Sequence, residues 1–244
     1  MVSALSFWQL CAIKKRKYAN LKGKFKIDDN FVENINEFYD SNKKHKASSD
    51  EPRAIIHNLV GTARIESSIK NFNLEMISRI LPNPVYDKQK FAAITIRIHS
   101  PMCTVLLFTS GKMVLTGCRN FAECCQASLE IVQILRGGLP GVVMQLTEVR
   151  IQNIVGNVDL RLDNKVLDLD RFYYDQSVYS TFQKNMFPGL IFRPNNSPVV
   201  LLLFSSGKVV ITGGKASRDI YDGWNALWPL VKQYIKSCDQ GRES

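Results

Sequence analysis

The sequence is poor in the residues that build reactive centres. Its three histidines, His45, His57 and His99, form no constellation with a serine or cysteine that would serve catalysis. The six cysteines are Cys11, Cys103, Cys118, Cys124, Cys125 and Cys238, with no CxxC pair and no Cys/His cluster at zinc spacing. Neither a disulfide framework nor a metal is expected, and reduced thiols follow. No apolar run approaches the roughly 18 residues of a membrane span. The apolar stretch 1–13 precedes the basic run Lys14-Lys15-Arg16-Lys17, the reverse of the order in a secretory signal. Ser-Gly-Lys occurs twice, but Met113 follows Lys112, Val209 follows Lys208, and the earlier glycine of a phosphate loop is missing. Acidic residues are in deficit, 22 against 32 Lys plus Arg. The net charge of +10 favours a polyanionic partner without identifying one.

Residues 1–53 are basic, weak in apolar periodicity and polar over 40–51. They read as a partly disordered extension, with 14–17 either a nuclear-import run or a solvated basic tail. From Ala54 onward the sequence duplicates itself. Leu106–Gly117 reads LLFTSGKMVLTG and Leu202–Gly213 reads LLFSSGKVVITG, nine of 12 positions being identical at an offset of 96. Asn58-Leu59-Val60-Gly61 returns as Asn153-Ile154-Val155-Gly156 at an offset of 95. Phe91 returns as Phe187 and Arg97 as Arg193, both at 96. Two copies of one unit follow, 54–145 and 146–237, with 238–244 a tail.

Each unit has one order of elements. A first strand is expected at Ile55–Ala63 and Arg150–Leu160. A helix carries Leu74, Ile77, Ile80 and Leu81 behind the N-cap Asn73. Strands follow at Phe91–His99, Val105–Thr109 and Met113–Gly117, the last two joined by the Ser110-Gly111-Lys112 hairpin. A long helix closes the unit, marked in the second copy by Ile220, Trp224, Leu227, Val231 and Ile235. Strands grouped between helices give an α+β unit with an antiparallel sheet.

The sheet is expected to be apolar on both faces. Side chains alternate along a strand. Val105, Leu107, Met113 and Leu115 share a face suited to the helices, yet Leu106, Phe108, Val114 and Thr116 opposite are also largely apolar. The second copy repeats this with Leu201, Leu203, Val209 and Ile211 against Leu202, Phe204, Val210 and Thr212. Asn58 with Val60, and Asn153 with Val155, add an amide and a small apolar group to each first strand. An exposed apolar face requires a partner. The DNA minor groove over A·T pairs fits: its floor carries only acceptors, adenine N3 and thymine O2. Amides and hydroxyls can donate there, small apolar groups can press on it, and Arg97, Lys112, Arg119, Arg193, Lys208 and Lys215 near the strand ends can meet phosphates.

The pattern Asn-hydrophobic-Val, Phe-Ala-Ala, Phe-x-Ser-Gly-Lys-x-Val-x-Thr-Gly, duplicated over about residues 54–237, resembles the TATA-box-binding protein family. Gln152–Gly156, Phe187–Ile191 and Ser206–Val210 carry the same likeness. The resemblance implies a pseudo-twofold saddle of two repeats, each an antiparallel sheet with helices on its convex side. It implies a non-enzymatic, nuclear transcription initiation factor without cofactor or metal. Phe91 with Phe108, and Phe187 with Phe204, match the pairs that wedge into a base step at either end of the DNA site. Asn58, Asn153, Thr116 and Thr212 match central hydrogen-bonding residues. Val60, Val114, Val155, Val210, Leu106, Leu202, Ala92 and Pro188 match apolar groove contacts. Arg97 and Arg193 match phosphate-facing arginines, beside the hairpin residues Ser110, Lys112, Ser206 and Lys208 and the basic Arg119 and Lys215. Implied partners are double-stranded A·T-rich DNA, transcription factor IIB-like and IIA-like proteins and factors of RNA polymerase complexes, with no membrane. The resemblance also implies a monomer on DNA that is able to self-associate off it.

Departures mark a divergent member or a TATA-box-binding-protein-related factor. The loop before Phe187 usually carries two glutamates for transcription factor IIB, and here those places hold Gln183 and Asn185, with Met186 next. The first long helix is usually basic, but 121–135 has no Lys or Arg and carries Cys124 and Cys125. Ala63 stands where a groove-facing valine is common. Each repeat is about three residues longer before its first wedge phenylalanine. The competing reading is a protein-interaction module of the same fold that has lost DNA binding and holds a partner polypeptide on its apolar sheet. A third, an enzyme bearing this fold as an accessory domain, leaves no segment for a catalytic domain.

Overall fold

A computed structural model of the chain describes residues 51–237. The basic extension up to residue 50, with its 14–17 run, and the tail from 238 lie outside the described residues. The described chain forms two compact units, one of Leu59–Gln152 and one of 51–58 with 153–237.

In the first unit, β1 (Ile55–Ser67, entering the unit at Leu59), β2 (Ala93–His99), β3 (Met102–Phe108) and β4 (Lys112–Cys118) pair antiparallel in the order β2-β3-β4-β1. Opposed residues in such a ladder share a face. One set of rows is therefore wholly buried: Ile94–Leu107–Met113–Ala63 and Ile96–Val105–Leu115–Gly61. Ala63 belongs to this core, so the expectation that it stands at a groove-facing position is corrected. Thr62, its neighbour, takes the open face instead.

Helix α1 (Leu74–Ile77) is a single turn. Asn73 caps it as expected, its side chain accepting from the Met76 N–H at 3.1 Å. The helix does not continue to Leu81: Arg79 and Ile80 bond back only three residues, and Pro82 and Pro84 follow. Helix α2 (Phe121–Gly138) is longer than the 121–135 stretch and gains Arg136 in its last turn. Asn120 accepts from the Glu123 N–H at 2.9 Å, and the Glu123 carboxylate accepts from the Arg119 N–H at 2.8 Å, a reciprocal cap. Its Phe121, Cys124, Cys125, Ala127, Ser128, Ile131, Val132 and Leu135 are buried, a helical stripe facing the strands.

The second unit repeats the plan. Strand β5 (Met144–Asp159, entering the unit at Asn153), β7 (Ser180–Thr181), β8 (Leu190–Phe192), β9 (Val200–Leu203) and β10 (Lys208–Gly214) run in the order β5-β10-β9-β8-β7. Its buried rows are Leu190–Leu203–Val209–Val158 and Phe192–Leu201–Ile211–Gly156. Helix α3 (Leu169–Asp175) is capped by Asp168, which also pairs with Lys236 at 2.8 Å. The Lys236 ammonium holds the Asp168 carboxyl below its usual range. Helix α4 (Ser217–Val231) buries Ile220, Trp224 and Val231, and the Trp224 indole donates to the Pro52 carbonyl at 2.7 Å. Ile235 departs from the expected helix. Pro229 sits in the last turn, Lys232–Tyr234 tightens to a 3₁₀ turn, and Ile235 begins β11 (Ile235–Ser237), which pairs with β6 (Lys165–Leu167). The α+β class and the antiparallel sheets agree with the sequence reading.

Candidate functional site

In each unit the sheet face turned from the helices is half open and carries few charges. In the first it consists of the rows Thr95–Leu106–Val114–Thr62 and Arg97–Thr104–Thr116–Val60. In the second, Ile191–Leu202–Val210–Asn157 matches the first row. Leu106, Val114, Leu202 and Val210 are neither in the core nor fully exposed, while their strand neighbours Leu107, Met113, Leu203 and Val209 are 0% exposed. That contrast within one strand is the main physical signature of the site. An α+β unit buries one sheet face under its helices, and among the described residues the second face stays half open in both units.

The phenylalanines pair within each unit. Phe91 and Phe108 stand edge to face with ring centroids 6.2 Å apart. Phe187 and Phe204 do the same at 5.7 Å. Phe91 and Ala92 lie just ahead of β2 rather than within it, correcting the expected strand start at Phe91. A turn sets each first ring: the Phe91 N–H donates to the Asp87 carbonyl at 2.9 Å, and the Phe187 N–H to the Gln183 carbonyl at 3.0 Å. Phe91 is 47% exposed, an unfavourable state for a benzyl group in water unless a partner covers it.

Asn153 has a defined orientation. Its Oδ1 accepts from the Gly213 N–H at 2.9 Å, and its Nδ2 donates to the Thr212 hydroxyl at 3.1 Å. The Gly213 N–H requires an acceptor, which fixes the amide with its carbonyl toward the strand and leaves the second Nδ2 hydrogen for another acceptor. Gly213 supplies that N–H from a backbone of φ +99°, and Gly117 holds the same φ in the first unit. Asn58 and Val155 are half-buried on β1 and β5, on the same face as Val60 and Asn153 respectively.

Arg97, Ser110, Lys112 and Arg119 are exposed in the first unit. So are Arg193, Ser206, Lys208 and Lys215 in the second. Ser110 and Lys112 flank the hairpin of Gly111, φ +77°, and Ser206 and Lys208 that of Gly207, φ +81°. Ala92 and Pro188 are exposed beside the rings. Gln183, Asn185 and Met186 are exposed, with Met186 83% accessible, and Lys184 between them pairs with Asp170 at 2.7 Å.

The motif leaves out Thr62, Thr95, Thr104 and Asn157 and gives no role to Gln152 and Ile191, which it includes, yet all of these but Gln152 fall on the open rows. Gln152 is drawn to the same strand region, its amide donating to the Thr62 hydroxyl at 2.8 Å. Two-residue alternation onward from Asn58 and Asn153 is the signal that reaches Thr62 and Asn157.

Residues 53–137 and 148–234 match the family model described as Transcription factor TFIID (or TATA-binding protein, TBP). The TATA-box-binding protein of Caenorhabditis elegans is 35% identical over 187 residues, 77% of this chain and 53% of that protein. The chain thus spans about half the length of that relative. The TBP-related factor of Drosophila melanogaster is 34% identical over 183 residues, 75% of this chain and 78% of that protein. Among solved structures, Methanococcus jannaschii TBP matches with a TM-score of 0.60 at 30% identity, covering 75% of this chain and 98% of its own.

Proposed function

The chain belongs to the TATA-box-binding protein family, and from that premise we propose that it is a nuclear general initiation factor that binds A·T-rich, TATA-like promoter DNA in the minor groove, kinks it with paired phenylalanines and nucleates preinitiation complex assembly. The observation that carries this reading is the uncovered apolar row in each unit, Leu106–Val114 and Leu202–Val210, flanked by an edge-to-face phenylalanine pair.

Each unit supplies the same set of parts. The phenylalanine pair enters a base step and unstacks it. The TATA-box-binding protein is itself the standard case of this wedge mechanism, in which unstacking costs on the order of a few kcal/mol per step and the bend offsets it by bringing more protein surface onto DNA. Asn153, held by Gly213, donates outward to adenine N3 or thymine O2, with Asn58 in the matching role. Thr116 and Thr212 add hydroxyls. Val60, Val155, Val114, Val210, Leu106, Leu202, Ala92 and Pro188 fill the groove floor, where a guanine amino group would collide with them. Arg97, Ser110, Lys112 and Arg119, with Arg193, Ser206, Lys208 and Lys215, meet phosphates and set register without reading sequence. Transcription factor IIB-like and IIA-like proteins dock on the complex, the former through a Gln183–Met186 loop lacking the usual carboxylates.

A gel-shift with A·T-rich and G·C-rich duplexes at one stated salt concentration, paired with a fluorescence-transfer bend measurement, tests the proposal. Preferential binding and bending of the A·T-rich duplex is expected. Equal affinity with no bend would favour the protein-interaction module.

A further inference from the structure

The open faces of the two units share one framework and differ where they adjoin the phenylalanine pairs. On the side of β2 and β3 turned from the helices, the rung Thr95–Leu106 lies between Ala93–Phe108 and Arg97–Thr104. Thr95 therefore stands on the rung next to the phenylalanine pair, and Thr104 one rung further on. At the 96-residue offset these two become Ile191 and Val200. The ladders keep the correspondence. Ile191 opposes Leu202 as Thr95 opposes Leu106, and Val200 opposes Thr212 as Thr104 opposes Thr116. All four side chains are half-buried, while Ile94, Val105, Phe192 and Leu201 beside them in the chain are closed off in the core.

The fold does not call for a hydroxyl at either place, since isoleucine and valine fill them in the second unit. The Thr62 hydroxyl accepts from the Gln152 amide at 2.8 Å, and the Thr212 hydroxyl from the Asn153 amide at 3.1 Å. The hydroxyls of Thr95 and Thr104 make no such side-chain bond among the described residues. The far ends of the first rows, Thr62 and Asn157, are polar in both units. The ends beside the phenylalanines are not. Against a minor-groove floor that difference is specific. A·T pairs present only acceptors, and a G·C pair adds the guanine amino donor. A threonine hydroxyl turns to donate to adenine N3 or thymine O2, or to accept from the amino group. An aliphatic side chain does neither, and an amino hydrogen pressed against it away from water is left without an acceptor.

We propose that Thr95 and Thr104 let the first unit accept a G·C pair beside its phenylalanine pair, where Ile191 and Val200 exclude one from the second. The inference rests on the minor-groove reading and adds a direction to it. The DNA ligand is an A·T-rich site that admits a G·C pair beside one wedge only, and that pair fixes which unit covers which half. The phenylalanine, asparagine and hairpin residues are duplicated and favour neither orientation. The two hydroxyls of the first unit, set against the two aliphatic groups of the second, break that equivalence.

The test titrates the full chain with a palindromic A·T duplex, which both orientations fit equally. A G·C pair is placed at each position of one half in turn, and then at the mirror positions of both halves together. At the position beside the wedge, one G·C pair should lower affinity only about twofold, the loss of one of two equal orientations. The chain turns to lay its first unit there. Two G·C pairs should lower affinity by roughly five- to 150-fold, the range for one mismatched pair. Inosine in place of both guanines should restore it, since the amino group is then gone. Ile191→Thr with Val200→Thr should bring the two-pair duplex close to the one-pair duplex. Thr95→Val with Thr104→Val removes the hydroxyls and keeps the shape, and should make a single G·C pair as costly as two are to the wild type. A chain that prefers the A·T palindrome to a wholly G·C duplex, yet loses no more from the second G·C pair than from the first at every position, overturns this inference alone. A chain without that preference refutes the minor-groove reading and the inference with it.

Discussion

Phe187 and Phe204 stand edge to face at 5.7 Å, and Gly189 is what lets them close: a Cβ on Gly189 would lie 2.6 Å from the Phe187 ring and 3.0 Å from that of Phe204. Ala93 holds the matching place in the first unit, where the rings are 6.2 Å apart. Gly189→Ala should therefore widen the second pair towards the first and weaken binding modestly. Phe187→Ala with Phe204→Ala should remove most of the bend on that half of the site and leave the fold intact. Fluorescence transfer on an end-labelled duplex reads the bend, and circular dichroism reads the fold. Unfolding of the double variant would make the rings core residues instead of wedges.

Leu202 and Leu203 test the two-faced sheet directly. Leu203 is 0% exposed within a closed row, so Leu203→Ala should cost about 2–5 kcal/mol of stability. Leu202 opposes Ile191 and Val210 on the open row, so Leu202→Ala should cost roughly 1 kcal/mol or less, since surface sites are tolerant, yet weaken DNA binding. Urea unfolding beside DNA titration separates them. Similar stability losses for both would mean the open row is core.

Much of this was legible in the sequence because the unit occurs twice and its side-chain period is two. Duplication located the phenylalanines and asparagines, and alternation sorted Leu106 from Leu107. Motif spacing alone puts Ala63 on the open face, but two-residue alternation from Asn58 and Val60 puts it on the other. Its pairing with Met113 puts it in the core. Ile235 kept helical spacing, but Pro229 and the pairing with Leu167 overrode it.

The altered loop makes a separate prediction. Gln183 and Asn185 are exposed and uncharged where carboxylates are usual. Gln183→Glu with Asn185→Glu should strengthen capture of a generic transcription factor IIB by the preformed DNA complex, and the gain should shrink as salt rises. Titration at two ionic strengths reads it. No gain at low salt would mean that the partner has co-adapted or that another surface carries the contact.

Positioning and reading should separate on salt dependence. Arg97→Ala or Arg193→Ala should weaken all sequences alike and flatten the plot of log affinity against log salt by about 0.9 for each phosphate lost. Asn58→Ala or Asn153→Ala should cost about 1–3 kcal/mol at the preferred site with the slope kept. Asn157 ends the second open row where Thr62 ends the first. Its amide oxygen can accept from a guanine amino group, which an aliphatic side chain cannot. Asn157→Val should therefore sharpen discrimination against G·C on that half of the site. Affinities for TATA-like and G·C-substituted duplexes at four salt concentrations place every variant, and arginine and asparagine variants falling together would refute the assignment.

The central claim is that the open sheet faces read the minor groove of A·T-rich DNA. Inosine·cytosine pairs carry the minor-groove acceptors of A·T and the major-groove pattern of G·C, since inosine lacks the guanine amino group. The decisive measurement is the affinity and bend of one TATA-like duplex, its inosine·cytosine replacement and its G·C replacement. The account predicts that the inosine duplex is bound and bent like the A·T duplex while the G·C duplex is not. An inosine duplex that fails together with the G·C duplex would contradict it.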